Sequence, residues 1–134
     1  MRRIKAEGTS PERFVSSIAR RVVGYFRANA RSLPGRPDVA IFSKRKAVFV
    51  HGCFWHQHAK CSRSNVPKSN KAYWVPKLAR NVERDKENAR DLRKRGWKIL
   101  IVWECQCRNS ASVERKLKRF LGVGGRRTRG SGSA

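Results

Sequence analysis

The residues best equipped for chemistry sit together. The stretch from Val48 to Cys61, VFVHGCFWHQHAKC, carries all three histidines of the 134-residue chain and two of its four cysteines. Cys53, His58 and Cys61 follow one another as C-x4-H-x2-C, three soft or borderline ligands in one loop. A fourth donor, Cys105 or Cys107, stands after the apolar run WKILIVW. It would complete a Cys3His set, the closed tetrahedral shell of a structural rather than catalytic zinc. His58 suits the closing of this loop with Cys61, and His56 is its rival for the imidazole position.

The remaining imidazoles point to a second chemistry. Near pH 7 a neutral imidazole accepts a proton or donates to a phosphate oxygen. His51 ends a β-rich run and His56 lies five residues on. Asp38, in GRPD, ends a loop and opens a strand whose hairpin partner returns His51 toward it. A carboxylate so placed can hold Mg²⁺, which neutralises a phosphate and activates water, although Pro-Asp also suits an ordinary turn.

These residues need elements to position them. Ser10-Pro11-Glu12 has the cap, first-turn proline and acid of a helix start, and Phe14, Val15, Ile18, Val22 and Phe26 continue at helical spacing, so a helix is expected to about Ala28. RSLPGRPD is a loop. VAIFS and KAVFVHG read as a hairpin turned at Lys44-Arg45-Lys46. No periodicity survives from Cys53 to Asn70. A second helix fits Lys71 to Arg95, stopped by Gly96. Trp97 to Trp103 suits a central strand buried on both faces, and a third helix is expected from about Ser112 to Leu121. The order α-β-β-α-β-α describes an α/β fold, a small mixed sheet flanked by helices. Residues 1–121 read as a single domain and 122–134 as a disordered basic Gly/Arg/Ser-rich tail.

The second helix raises a question of its own. Its apolar stripe runs Trp74, Leu78, Val82, Ala89, Leu92, and Asp85 falls on the same stripe. An inward acid is costly unless paired or hydrogen-bonded. Asp85 therefore either meets one of the many arginines or orients a histidine or a metal-bound water.

Lys and Arg number 33 against 9 Asp and Glu, a formal charge of +24. Such an excess calls for a polyanionic partner, nucleic acid first. No apolar run reaches the length of a membrane-spanning helix, and the N-terminus lacks the apolar core of a secretory signal. A cytosolic protein is expected, with cysteines used as thiols or metal ligands.

SLPGRPD, FVHGCFWH, NVERD and VWEC, in this order and at these distances, closely resemble the Vsr family of DNA mismatch endonucleases, from Met1 to about Arg108. The resemblance implies a restriction-endonuclease-like fold. It implies an enzyme of very-short-patch repair that nicks one strand 5′ to the T of a T:G mismatch, the lesion left by deaminated 5-methylcytosine. By the same resemblance Asp38 and the Val50 carbonyl bind Mg²⁺, His56 is the general base and His51 lies near the phosphate. Glu12 and Asp85 are supporting acids. Cys53, His58, Cys61 and Cys105 become the zinc ligands, which selects Cys105 over Cys107. Phe54, Trp55 and Trp74 are aromatic residues driven between base pairs beside the mismatch, and Met1 probes the minor groove. From its stripe position alone, Trp74 reads as core. The expected partners are double-stranded DNA with a T:G mismatch and repair-pathway proteins, and the enzyme is expected to be a monomer of the bacterial cytosol or nucleoid. Two rivals are a restriction-type nuclease of this fold with other specificity and a zinc-stabilised DNA-binding module without catalysis.

Overall fold

The computed structural model describes residues 10–122. Helix α1 spans Pro11–Val23, with the Ser10 side chain accepting from the Arg13 N–H as the sequence signature requires. It ends five residues earlier than its apolar spacing suggests. Gly24 takes φ 82° and its N–H caps the Arg20 carbonyl, so the backbone leaves the helix where a residue without Cβ allows it. Phe26 is still buried, but from the connection, not from a helical face. The two residues beyond it, Arg27–Ala28, form a short strand, β1, that the sequence reading places at the helix end.

The hairpin is present as β2, Val39–Ile41, and β3, Lys46–His51, paired antiparallel. Helix α2 covers Lys71–Lys94, and Gly96 at φ 86° turns the chain into β4, Lys98–Trp103. A 3-10 turn over Glu104–Arg108 leads to α3, Ser110–Leu121, capped by the Asn109 side chain.

The strand order is β1-β2-β3-β4, with β4 joined parallel to β3 across the α2 connection and the other pairs antiparallel. The sheet is mixed, as expected, but the central position belongs elsewhere. β4 stands at the end of this order and is mostly half-buried, whereas five of the six β3 residues are buried. The apolar run of five from Ile99 to Trp103 reads alike whether helices seal both its faces or leave one partly open.

The pleat of β3 divides the interior in two. Val48 and Val50 join Val15 and Ile18 of α1 and Val113 and Leu117 of α3 on one face. Ala47 and Phe49 join Leu92 of α2 and Trp97 on the other. His51 falls on this second face, at the carboxyl end of β3, paired in register with Trp103 of β4. The chemistry-bearing residues gather around that end. Among the described residues no helix is long and apolar enough to cross a membrane.

Candidate active site and metal cluster

Asp38 stands one residue before β2, and its Oδ2 accepts the Val50 N–H at 2.7 Å. The hairpin thus brings acid and histidine strand together. Burial raises the Asp38 carboxyl above its ordinary value and the charge of Glu12 adds to this, against the Val50 hydrogen bond. Glu12, from the first turn of α1, lines a hollow shared with Asp38.

Asp85 proves to be partnered by a histidine and not by an arginine. His56 Nδ1 and Asp85 Oδ2 are 2.6 Å apart. The other face of His56 lies on His51, with ring centroids 3.8 Å apart and planes 6° from parallel. Burial, and then His56 beside it, push the His51 imidazole down to about 4. His51 is neutral at physiological pH, and its buried Nδ1 has no hydrogen-bond partner among the described residues. Asp38, Val50, His51, His56 and Asp85 all line one cavity of about 270 Å³.

The second group lies behind this one. Donor atoms of Cys53, His58, Cys61 and Cys105 all fall within 4.8 Å of one another. Cys53 Sγ and Cys105 Sγ are 3.6 Å and 3.5 Å from His58 Nδ1. Metal–sulfur bonds of about 2.3 Å and metal–nitrogen bonds of about 2.0–2.1 Å, at tetrahedral angles, give an S···N separation of about 3.6 Å. The four residues therefore fit zinc. Burial first, and the crowding of sulfurs after it, push the Cys53 thiol up to about 11, and a bound cation would hold it as the thiolate. Cys107 lies outside this group and packs against the core shared by α1 and α3.

Phe54, Trp55 and Trp74 form an aromatic cluster with centroids 5.2–5.6 Å apart, all near edge-on. Trp74 belongs to neither buried core, contrary to what its stripe position suggests, and Trp55 is 47% exposed. Met1 lies outside the described residues.

Several residues of the site receive no role from the sequence, although three of the four fall inside the motifs NVERD and VWEC. Glu104 Oε1 accepts the Cys53 N–H at 3.0 Å, and Asn81 donates to the Trp55 carbonyl at 3.2 Å. Gln57 donates to the carbonyls of both Phe54 and Ser64. Trp103 stacks on His58 at 4.1 Å and meets His51 edge-on at 5.2 Å, touching both histidine groups. The fused spacing of VWEC is the only hint of the last.

A mixed sheet that gathers Asp38, two stacked histidines and Asp85 around one cavity suits the restriction-endonuclease-like fold of the DNA endonucleases that the motifs resemble. Comparison with known proteins narrows this. Residues 1–63 match the family model described as DNA mismatch endonuclease Vsr. The type II nicking enzyme V.XorIIP of Xanthomonas oryzae pv. oryzae is 36% identical over 121 residues, 90% of this chain and 88% of that one. The type II nicking enzyme V.NmeAIP of Neisseria meningitidis is 36% identical over 90% of this chain and 86% of its own. The DNA mismatch endonuclease Vsr of Escherichia coli K12 is 41% identical over 81% of this chain and 69% of its own. The chain belongs to the Vsr family of DNA mismatch endonucleases.

Proposed function

We propose that the protein is a Mg²⁺-dependent enzyme that nicks one strand of duplex DNA 5′ to the T of a T:G mismatch. The observation that carries the reading is the His56–Asp85 hydrogen bond of 2.6 Å, set across one cavity from Asp38. Asp85 accepts from Nδ1–H of His56, which fixes the tautomer and leaves Nε2 as the acceptor for a proton from water. Neutral His51, stacked beneath, supports the ring without adding a second positive charge beside it.

Asp38 and the Val50 carbonyl would hold Mg²⁺, and a carboxyl raised by burial and a neighbouring acid is chemically suited to a hard cation. When bound, that ion supplies charge neutralisation at the scissile phosphate. Cys53, His58, Cys61 and Cys105 would hold Zn²⁺ and fix the loop from which Phe54 and Trp55 project. Those rings, with Trp74, would enter the base stack, where a mismatched step is cheaper to open. The reading makes the protein a monomer of the bacterial cytosol, working where its DNA is, in a single catalytic domain over 1–121.

Nicking of matched-sequence duplexes containing T:G, T:A or C:G, with and without Mg²⁺, tests this directly. Only the T:G duplex with Mg²⁺ is expected to be cut, on one strand. Equal cleavage of all three would sink the mismatch reading, and cleavage without a divalent ion would sink the Mg²⁺ assignment.

A further inference from the structure

Helix α2 carries more than the acid of the histidine pair. Lys86, Arg90, Arg93 and Lys94 rim a groove whose floor includes Ile101 of β4. Asp85, Ala89 and Ile101 line both this groove and the catalytic cavity, so the groove opens out of the space beside His56. The four cations are exposed, and none of them is in an ion pair among the described residues. A charged helix face is ordinarily just solvated. Here the charge borders a concave surface with an apolar floor, and the groove's acid is engaged by His56. The hollow along α1 differs, because it mixes Arg13 and Arg20 with Glu12 and loses Arg21 to Glu114.

We propose that the groove between α2 and β4 is a phosphate track for the nicked strand, on the side of the scissile bond away from the aromatic wedge. This rests on the strand-nicking reading above. At 1.5 Å per residue Asp85 and Lys94 are about 14 Å apart along the helix axis. A single strand advances about 3.4 Å per phosphate along the duplex, so this interval spans about four phosphates. Four cations line it. One helix thereby sets lesion contact, chemistry and strand holding in series. With the mismatched T at the wedge and the nick 5′ to it, the track holds the strand on the 5′ side of the scissile phosphate.

The test is binding of the full chain to a T:G duplex without divalent ions, measured against salt. Removing one cation that neutralises a phosphate lowers the slope of log K against log salt by about 0.9. The triple variant Arg90→Gln, Arg93→Gln, Lys94→Gln is expected to lower the slope by about 2–3. The double variant Arg90→Lys, Arg93→Lys keeps the charge and is expected to keep the parent slope. Shortening the duplex 5′ of the nick site is expected to cost the parent the same affinity and to erase the difference between parent and triple variant. Shortening it on the 3′ side is expected to leave that difference. An unchanged slope overturns the track, as does a difference that persists without the 5′ arm. The two readings fail separately: a parent with this arm dependence that never nicks T:G refutes the nicking, whereas normal nicking with no arm dependence refutes the track alone.

Discussion

The Cys53, His58, Cys61 and Cys105 group and the His51, His56 and Asp85 group grow from the same loop, yet they are built in opposite ways. In the first, four donors converge at distances that suit one tetrahedral ion, and sulfur predominates. In the second, the donor atoms of two parallel imidazoles and a carboxylate also lie within 4.8 Å of one another, but one pair is taken up by the His56–Asp85 hydrogen bond and the group borders an open cavity. Both draw on residues five apart, Cys53 and His58 in one group and His51 and His56 in the other. What separates a structural from a chemical role is the direction of the ring nitrogens and the presence of room beside them. His58 turns its Nδ1 to sulfur, while His56 gives its Nδ1 to a carboxylate.

The largest expected effect breaks the first group. Cys53→Ala is expected to lose tightly bound zinc and most of the folding stability, since binding at such sites is worth about 10–16 kcal/mol in small zinc domains. Metal content by mass spectrometry and thermal unfolding read both losses together. A Cys53→Ala protein that melts like the parent would show that the cluster is not a metal site. Cys107→Ala, outside the group, is expected to keep full zinc content and to lose only packing.

Breaking the second group is expected to separate activity from stability. Asp38→Ala is expected to lower the nicking rate by about 10²–10³-fold, as removal of charge stabilisation at a reacting centre commonly does. His56→Ala should lower it by about 10²–10⁴-fold, the usual range for a general base. Both are expected to hold zinc. Asp38→Ala also leaves the Val50 N–H without its acceptor and is expected to cost about 1–3 kcal/mol, far less than the loss of zinc. If either variant loses zinc in proportion to its activity, the two groups are one unit, and structure and chemistry are not divided between them.

The contents of both groups are legible in the sequence because they share one dense stretch, and helix α2 betrays Asp85 by its place on the apolar stripe. The assignment of each histidine is not legible from spacing, because His56 and His58 are two residues apart and either could reach the sulfurs. The family motifs resolve it, and the turn in which His56 N–H binds Gly52 O and His58 N–H binds Cys53 O is the physical reason. Strand β1 is invisible for a different cause. Arg27 and Ala28 are both exposed and become a strand only by pairing with Ala40 and Val39. Trp97 to Trp103 reads as central because its composition is almost wholly apolar, although only the order of strands decides which one is flanked.

A smaller effect probes the tip between the groups. Trp55→Ala is expected to weaken binding to a T:G duplex relative to a matched one by about 1–3 kcal/mol, the value of one base–aromatic stack. Zinc content and the rate at saturating DNA are expected to change little. Equal loss on both duplexes would mean that the exposed ring adds general affinity and does not sense the mismatch.

The smallest effect concerns the link that holds the loop to β4. Glu104 accepts the Cys53 N–H through Oε1, while its Oε2 is 3.9 Å from Arg63 in a largely exposed ion pair. The two interactions make separable predictions. Glu104→Gln keeps an acceptor for the backbone and loses only the ion pair, so it is expected to cost under about 1 kcal/mol, and less still at high salt. Glu104→Ala leaves the Cys53 N–H without its partner beside a buried sulfur and is expected to cost about 1–3 kcal/mol, insensitive to salt. Thermal unfolding at two salt concentrations distinguishes the contributions. If Gln and Ala cost the same, the ion pair and not the backbone hydrogen bond holds the loop. The closed group would then owe its position to surface charge, and its contrast with the open group would rest on the sulfur–imidazole geometry alone.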